Sequence, residues 1–412
     1  MAKFRPLGHA GSRMIPVREA LSILDKAAIP LRSTSVALAD SVGRVLAEDI
    51  VADTDLPPFD RSQMDGYAVR SRDSKNAPVV LQIIGESAAG KGFRGKLMKG
   101  EAVRIMTGAP LPDGADAVQK LELASESASR VTLAASTEKG RFIVTKGKEV
   151  KRGTVVLAAG STISAQNISV PAAFGYARLK VARRPRITII STGSEIVEVN
   201  QKLKRDQIRN SNSQMLASLC RDAGSEVTVL PIIRDDIGEL QRALKAAAKT
   251  SDVLIATGGV SVGKYDLTKP ALEKLGAEIM FDRVALRPGK PTVFAKLGNT
   301  FVFGLPGNPV SAAITFYLFV RRFLMQLQNA SEIELNGGRA LADGHFRGTT
   351  QRESYLTAEL VTDKDGHLIA KPIKWHGSSD FVSFARADAL VFVQANNSFD
   401  AGDAVDILFL PR

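Results

Sequence analysis

The chain has 412 residues, of which 44% are hydrophobic and 24% are charged, and its formal net charge is +12. This composition is typical of a globular protein with two to four domains of about 100–200 residues each. Cys220 is the only cysteine, so a framework of intramolecular disulfides is excluded and a reducing cytoplasm is expected.

Neither a membrane nor a nucleic acid is an expected partner. The segment before Gly11 is basic but is not followed by an apolar core, so it does not predict a signal peptide. The apolar segment Pro309–Val320 ends at two arginines and is shorter than a membrane span of about twenty residues, so it predicts a buried helix. The positive charges are spread along the chain without an aromatic strip or a nucleic-acid-binding motif.

The first part of the chain predicts a helix followed by a β-rich region. Apolar residues at helical spacing predict a helix over residues 17–28, and short alternating runs over residues 79–150 predict a small β barrel or sandwich. Between them, residues 54–73 contain two prolines, which interrupt regular structure, and the turn signal Asp65–Gly66. This segment is either a solvated connection or a packed loop, since it also contains apolar side chains.

A regular alternation of apolar strands and helical patterns begins near Arg184. Strands are predicted over residues 187–191, 227–233, 253–256 and 279–281, and helices over residues 208–223, 237–248 and 267–275. Thr292–Ala295 and Phe301–Phe303 are further apolar runs that predict buried parallel strands. The alternation predicts a doubly wound α/β domain, and from about Gln328 the pattern changes to that of a C-terminal β domain.

Three glycine-containing loops follow strands of the predicted sheet: Thr192–Glu195, Thr257–Gly263 and Leu305–Asn308. Such loops expose backbone N–H groups that suit phosphate, although each loop by itself is also typical of a tight turn. Because ligands of doubly wound sheets bind beyond the carboxyl ends of the strands, we expect the three loops to share one anion-binding rim. Glu195 either complements the positive end of a helix or ligates a metal.

The sequence lacks the main nucleotide-binding signatures. It has no GxGxxG after the first strand and no GxxxxGK[ST], which disfavours a dinucleotide site and a P-loop.

Carboxylates and cations occur together near these loops, which indicates a divalent metal beside a phosphorylated ligand. Mg²⁺ typically uses one or two carboxylates together with phosphate oxygens and water, and arginine and lysine hold the remaining anionic oxygens. The acidic residues are Asp65, Glu149, Glu195, Asp235 and Asp266, and the basic ones are Arg283, Arg287 and Lys290. Arg283 and Arg287 are alternatively simple surface charges. The combination favours phosphoryl or nucleotidyl chemistry on a small polyanion.

Long motifs then identify a family. In chain order they are PPFDRSQMDGYAVR, RIMTGAPLPDGADAV, STGSEIV, RNSN, GGVSVGKYD, RPGKP and GLPGNPVSA. Together they resemble the MoeA family, the molybdopterin molybdenumtransferases, over nearly the whole chain. The resemblance implies a discontinuous linking domain (residues 17–49 and 153–182), an inserted β domain (50–152), an α/β molybdopterin-binding domain (183–328) and a C-terminal β domain (329–412).

The resemblance implies an enzyme of molybdenum cofactor biosynthesis. Members of the family insert molybdate into adenylylated molybdopterin in a metal-dependent reaction and release AMP. They form homodimers in which the α/β domain of one subunit faces the inserted domain of the other across the active cleft. We therefore expect a cytoplasmic homodimer that uses Mg²⁺, with other proteins of cofactor biosynthesis as further partners. The family also resembles the E domain of gephyrin, so a non-catalytic molybdopterin-binding or scaffold protein is the alternative.

The matching motifs imply the residues of the site. The catalytic residues would be Asp65, Thr107, Glu195, Asp235 and Asp266, of which Glu195 and Asp266 would ligate the metal. The pterin phosphate and nucleotide would lie along Gly258, Gly259, Ser261, Gly263, Gly307 and Asn308, with Arg283, Arg287 and Lys290 facing anionic oxygens. Molybdate is expected near Arg287, Pro288, Arg352 and Ser378.

The chain departs from the common family pattern at several motifs. Glu149 stands where many members have Asp, and Ser194 stands where many have a second carboxylate. Arg283 and Arg287 stand at positions that are often Lys, which keeps the charge. Lys264 follows GGVSVG where an acidic residue is common, and it would either add a phosphate contact or weaken a nearby metal. Lys264 supports the non-catalytic alternative, but the carboxylate set is retained, so we predict an active enzyme.

Overall fold

The structure is a computed structural model that describes residues 13–259, 267–374 and 376–411. The chain divides into two compact units. The first unit contains Met1–Glu48, Ala159–Ser164 and Arg178–Arg412, and the second contains Asp49–Ala158 and Ala165–Ala177. The second unit is thus inserted into the first, and it extends beyond residue 152, where the inserted domain was predicted to end. The division into four domains stays a prediction.

A six-stranded sheet lies at the centre of the first unit. Its strands follow the order Glu226–Val229, Arg186–Ser191, Val253–Thr257, Thr300–Leu305, Val293–Leu297 and Glu278–Phe281. The first four strands are parallel, as predicted. The prediction of a parallel strand at Thr292–Ala295 is wrong, because this strand runs antiparallel to both of its neighbours. Only Gly298 and Asn299 separate it from the next strand, which is too short for the crossover that a parallel pair requires.

Helices cover both faces of this sheet. One face carries the helices Val17–Ala27 and Ser211–Asp222 and a long helix that begins at Pro309. The other face carries the helices Ile237–Ala247 and Thr268–Lys274. Adjacent residues of one strand pack into opposite cores, since Ile189 lies in the first and Ile190 in the second. This two-sided burial explains the nearly continuous apolar sequence of the strands and confirms the doubly wound α/β domain.

The apolar segment after Asn308 forms a buried helix, as predicted. It consists of the α-helix Pro309–Thr315, a π-helical turn Phe316–Val320 and the α-helix Arg321–Leu327. Within the described residues it is the one helix that is long and apolar enough to cross a membrane, but 72% of its apolar window is buried inside the protein. Such burial is typical of a core helix.

The C-terminal strands close into a small barrel, which confirms the C-terminal β domain. They pair in the order Glu353–Thr362, Leu368–Pro372, Gly337–Ala342, Ala404–Phe409 and Ala389–Val393. The last of these strands pairs again with the first. The short strand Leu286–Arg287 lies beside the first barrel strand, so the RPGKP segment connects the barrel to the α/β part of this unit.

The second unit is built on another six-stranded sheet. Its order is Ala117–Lys120, Gly66–Val69, Glu101–Ile105, Val79–Ser87, Arg130–Leu133 and Ala124–Ser127. Gly66 begins a fully buried inner strand rather than forming a turn. A Cβ atom on Gly66 would lie 1.9 Å from the carbonyl oxygen of Gln119, so glycine is needed there for close strand packing. Within the segment 54–73, residues 66–69 are therefore packed, whereas residues 58–60 are exposed.

Short elements complete the fold. The short strand pairs are Ser33–Ala37 with Arg178–Ala182, Ile50–Val51 with Val155–Leu157, Arg61–Ser62 with Ile143–Val144, Ile196–Val197 with Ile208–Arg209, and Phe346–Arg347 with Ser398–Phe399. The short helices are Leu38–Asp40, Ser71–Ser74, Leu121–Leu123, Ser169–Ala173 and Phe381–Phe384. The helix predicted from Ile208 begins at Ser211, because Ile208 and Arg209 pair as a strand and Asn210 caps the helix.

Candidate functional site

A cleft of about 1670 Å³ opens at the carboxyl ends of the parallel strands in the first unit. Its lining includes Thr192–Glu195, Thr257–Gly259 and Pro306–Asn308, which follow three neighbouring parallel strands. The structure thus brings together the described parts of the three glycine-containing loops. Three predicted site residues of the second loop lie outside the described residues: Ser261, Gly263 and Asp266.

Glycine allows these loops to approach one another closely. Gly258 has φ +91°, and a Cβ atom on it would lie 2.3 Å from the carbonyl oxygen of Thr192. A Cβ atom on Gly307 would in turn lie 3.6 Å from the Cα of Gly258. The backbones of all three loops therefore meet at the floor of the cleft, where a side chain at residue 258 has no room. The N–H groups of Thr192 and Gly193 donate to carbonyl oxygens of the protein, so the backbone at Gly258 and Gly307 is the part of this rim that suits a bound anion.

The charged lining of the cleft favours a polyanion. It contains the cations Arg209, Arg287, Lys290 and Arg352 and the carboxylates Glu195 and Asp235. The excess of cations attracts anionic oxygens, and arginine can bind them in a bidentate manner. The two carboxylates supply hard oxygen donors, which is the ligand chemistry that Mg²⁺ prefers.

Asp235 organises the loop that carries Glu195. One carboxylate oxygen of Asp235, Oδ2, accepts hydrogen bonds from the backbone N–H of Ser194 at 2.9 Å and from the Ser194 hydroxyl at 2.8 Å. Ser194 therefore links its loop to Asp235 by donating twice to that carboxylate. Gly193 has φ +152°, and a Cβ atom on it would lie 2.8 Å from Glu195 Oε2, so the carboxylate of Glu195 folds back over Gly193.

Strand pairing places Arg287 and Arg352 on the same wall. Arg287 is in register with Ser354 of the first barrel strand, and the backbone N–H of Glu353 donates to the carbonyl of Ala285 at 3.0 Å. Arg287 Nη1 also donates to the carbonyl of Arg347 at 3.4 Å. Two guanidinium groups that lie far apart in the sequence therefore line one wall because a barrel strand and the RPGKP segment pair.

A second contact joins the rim of the α/β sheet to the barrel. Asn308 precedes the long helix, yet its side chain does not cap that helix. Instead, Asn308 Nδ2 donates to the hydroxyl of Ser378 at 2.6 Å, and the backbone N–H of Val310 donates to the carbonyl of Ser378 at 3.1 Å. Asn308 and Ser378, both predicted to bind substrate, are thus direct neighbours in the cleft.

Two predicted catalytic residues lie in the second unit and contact each other. Asp65 Oδ1 accepts from the backbone N–H of Thr107 at 2.6 Å and from its hydroxyl at 2.8 Å. These bonds hold the pKa of the Asp65 carboxyl below its usual range. In the same unit, Glu149 pairs with the guanidinium of Arg61 at 2.7 Å.

One predicted binding residue does not line the described cleft, and two residues without a predicted role do. Arg283 is not among the described residues that line the cleft, and its carbonyl accepts from the backbone N–H of Ile15. Asn212 and Arg209 do line the cleft but carried no predicted role. Both belong to the RNSN motif, so the motif itself was the signal that could have found them.

Three family models match the chain in succession. They describe the MoeA N-terminal region (domains I and II) over residues 15–175, a probable molybdopterin-binding domain over residues 188–326 and the MoeA C-terminal region (domain IV) over residues 339–410. The chain is 35% identical over 399 residues to a molybdopterin molybdenumtransferase of Staphylococcus aureus, which covers 96% of this chain and 95% of the relative. A Staphylococcus epidermidis enzyme of the same name is 34% identical over the same length.

Solved structures agree over nearly the whole chain. A molybdopterin biosynthesis MoeA protein from Pyrococcus horikoshii superimposes with a TM-score of 0.80 at 31% identity, covering 96% of this chain and 99% of that protein. A second structure of such a protein, from Pyrococcus horikoshii OT3, gives a TM-score of 0.84 at 28% identity, covering 97% and 100% of the two chains.

Proposed function

This chain belongs to the MoeA family of molybdopterin molybdenumtransferases and acts in molybdenum cofactor biosynthesis, and we propose that it inserts molybdate into adenylylated molybdopterin with release of AMP. The observation that carries this proposal is the cleft at the carboxyl ends of the parallel strands, where three glycine-containing loops meet four cationic side chains and two carboxylates. Both substrates are anions, and a site of this composition suits them.

Different residues of the cleft would bind the nucleotide phosphates and molybdate. The backbone around Gly258 and Gly307 would hold the phosphates of the nucleotide, since both residues line the cleft. Arg287, Arg352 and Ser378 would hold molybdate on the barrel side of the cleft. Arginine suits this task because its planar fork matches the oxygens of an oxyanion.

We propose that the site uses Mg²⁺. Glu195 lines the cleft and would be a ligand together with Asp266, which lies outside the described residues. When bound, the ion would neutralise the phosphate oxygens as the bond to AMP breaks. Asp235 would keep Glu195 in place, because the Asp235 carboxylate fixes the backbone of Ser194, the residue before Glu195. The donor chemistry of the two described carboxylates fits a magnesium site.

We further propose that the protein works as a cytoplasmic homodimer. The family resemblance supports an arrangement in which the inserted domain of one subunit faces the α/β domain of the other. Asp65 and Thr107 of one subunit would then complete the site of its partner. Their shared hydrogen bonds keep Asp65 ionised, as an acidic group facing a metal-bound substrate requires.

The test is AMP release from adenylylated molybdopterin, measured with and without molybdate and with and without Mg²⁺. We expect release that depends on both, and we expect Glu195→Gln to abolish it. Glu198→Gln is the matched control, because Glu198 is exposed and does not line the described cleft. Binding of the substrate by the wild type without release of AMP would overturn the proposed reaction and favour the non-catalytic scaffold.

A further inference from the structure

One side chain in the RNSN motif bridges two of the loops that form the cleft. Asn212 Nδ2 donates to the Thr257 hydroxyl at 3.1 Å and to the carbonyl of Gly307 at 2.7 Å. The Thr257 hydroxyl lies 3.4 Å from the carbonyl of Pro306, to which it donates. Hydrogen bonds therefore connect the Asn212 amide to the loop at Gly307 in two ways, directly and through the Thr257 hydroxyl.

The orientation of this amide follows from its neighbours. Rotating the amide by half a turn would place its oxygen against the carbonyl oxygen of Gly307, so the N–H₂ group must face both acceptors. The other end, Asn212 Oδ1, is buried and has no hydrogen-bond partner among the described residues. The hydrogen bonds that Asn212 makes in the described structure are thus directed at the two loops.

Asn212 projects from a rigid support. It is the second residue of the helix Ser211–Asp222, and the Asn210 side chain caps that helix by accepting from the backbone N–H of Ser213 at 3.1 Å. Asn210 Nδ2 also donates to the Ser213 hydroxyl at 3.0 Å. The two asparagines of the motif therefore have different roles. Asn210 caps the helix, and Asn212 hydrogen-bonds from that helix to the loops at Thr257 and Gly307.

The two bridged loops carry the residues assigned to phosphate binding. Thr257 immediately precedes Gly258, and Gly307 is itself one of the predicted binding residues. At the same place a Cβ atom on Gly307 would lie 3.6 Å from the Cα of Gly258, so the two backbones are close enough for one amide to set their separation. A change in that separation would move the backbone N–H groups that face the ligand.

We propose that Asn212 is a positioning residue for the nucleotide, which acts by holding the loops at Gly258 and Gly307 at the separation that fits the phosphates. This inference rests on the proposed function, since it assumes that the cleft binds adenylylated molybdopterin. Asn212 does not need to touch the substrate. Its loss should therefore weaken binding of AMP and of adenylylated molybdopterin without altering the chemical groups of the site.

The experiment compares four substitutions in the full-length protein. Asn212→Ala removes the amide without adding a charge to the cleft, and Asn212→Asp keeps the shape of the side chain but sets a carboxylate oxygen against the carbonyl of Gly307. Thr257→Val removes the bridging hydroxyl while keeping the shape of Thr257. It tests the same bridge if an Asn212 variant fails to fold. Gln214→Glu is the control, because it makes the same amide-to-carboxylate change at an exposed position of the same helix. Calorimetric titration with AMP, steady-state kinetics and thermal unfolding are measured for each.

We expect Asn212→Ala to raise the Kd for AMP and the KM for adenylylated molybdopterin about tenfold, as the loss of one well-placed hydrogen bond would do. Asn212→Asp should raise both further, because its carboxylate also repels the anionic ligands. The kcat and the melting temperature should stay close to those of Gln214→Glu. Combining Asn212→Ala with Thr257→Val should weaken binding by less than the product of the two single effects, because both changes act on the same bridge.

Unchanged AMP binding in Asn212→Ala would overturn the inference, as would a fall in kcat at constant KM. Weakening that multiplies in the double variant would also overturn it. Failure of the proposed function has a different signature: the wild type then binds AMP without releasing it from adenylylated molybdopterin, and the loss of binding in Asn212→Ala remains. A wild type that binds neither ligand would overturn both.

Discussion

The Asp65 carboxylate accepts two hydrogen bonds from Thr107 at one oxygen atom, from the backbone N–H at 2.6 Å and from the hydroxyl at 2.8 Å. Both bonds favour the ionised carboxyl, and they lower the pKa of Asp65 although the residue is exposed to solvent. Two residues that are 42 positions apart therefore form one acidic group that stays charged.

Removing the Thr107 hydroxyl should raise the pKa of Asp65 towards the ordinary value for aspartate, about 4. Thr107→Val deletes one of the two donors and leaves the backbone N–H, so we expect part of the shift to be lost. A carboxyl-carbon NMR titration of Asp65 measures it directly. If ionised Asp65 is needed for activity, the acid limb of kcat/KM will move to higher pH in the same variant.

Thr107→Ser is the matched control, because serine keeps both donors and should keep the lowered pKa. An unchanged Asp65 titration in Thr107→Val would show that the backbone N–H alone sets the pKa.

A half-buried ion pair should make the first unit sensitive to acid. Asp252 accepts two bonds from the Arg183 guanidinium at 2.9 and 3.0 Å and one from the backbone N–H of Arg186 at 2.8 Å. Burial alone would raise the pKa of Asp252, but these hydrogen bonds outweigh it and lower the pKa. The stabilisation is therefore complete above the unfolded pKa of about 4 and is lost as the pH falls below it.

We expect Asp252→Asn to lower the free energy of unfolding at pH 7 by about 1.5–3 kcal/mol, the range for hydrogen bonds to charged groups. The difference from wild type should shrink as the pH falls below about 4, which urea unfolding at several pH values would measure. Asp406→Asn is the control, since its pair with Arg339 is exposed and should change stability by less than about 1 kcal/mol. An equal effect of the two substitutions would contradict the prediction.

Gly258→Ala should damage both the fold of the rim and the binding of ligand. The new Cβ atom would lie 2.3 Å from the Thr192 carbonyl oxygen, at a residue with φ +91°. We expect a loss of about 1–3 kcal/mol of stability from backbone strain, together with weaker binding of AMP because the loops must separate. Chemical unfolding and calorimetric titration measure the two effects.

Gly276→Ala is the control for Gly258→Ala, because it introduces backbone strain without crowding a neighbouring loop. Gly276 has φ +73°, but a Cβ atom there meets nothing within 4 Å. It should therefore lose stability through strain of about 1 kcal/mol and bind AMP normally. Normal AMP binding by Gly258→Ala would rule out close packing of the loops as a requirement of the site.

Subunit mixing tests the proposed homodimer. If Asp65 of one subunit and Glu195 of the other serve the same site, Asp65→Asn and Glu195→Gln should each be inactive alone. Mixed after unfolding and refolding, they should recover about a quarter of wild-type activity, because half of the dimers are mixed and each of these has one intact site. A mixture that stays inactive although mixed dimers form would place both residues in one subunit's site.

Local patterns in the sequence predicted much of this protein. The periodic spacing of apolar residues is set by the burial of a helix or strand face, so the α/β alternation and the C-terminal strands could be read before the fold was known. The glycines at the strand ends predicted loops that expose N–H groups, and the structure places Gly258, Gly259 and Gly307 in one cleft. The motifs identified the family, which the comparisons confirm.

Other features depend on contacts between distant segments. The antiparallel strand Val293–Leu297 and the inner strand at Gly66 depend on which neighbour each segment pairs with, and apolar content alone does not specify it.

The cleft itself is the clearest case of such dependence. Arg287 and Arg352 line the same cleft only because a barrel strand pairs beside RPGKP. Asn212 bridges two loops only because three strands end at one edge of the sheet. The sequence by itself determined the elements and the chemical groups, since these depend on local periodicity and residue type. Only the tertiary structure decided which groups meet, because hydrogen bonds and packing act through space, between residues that may be a hundred positions apart.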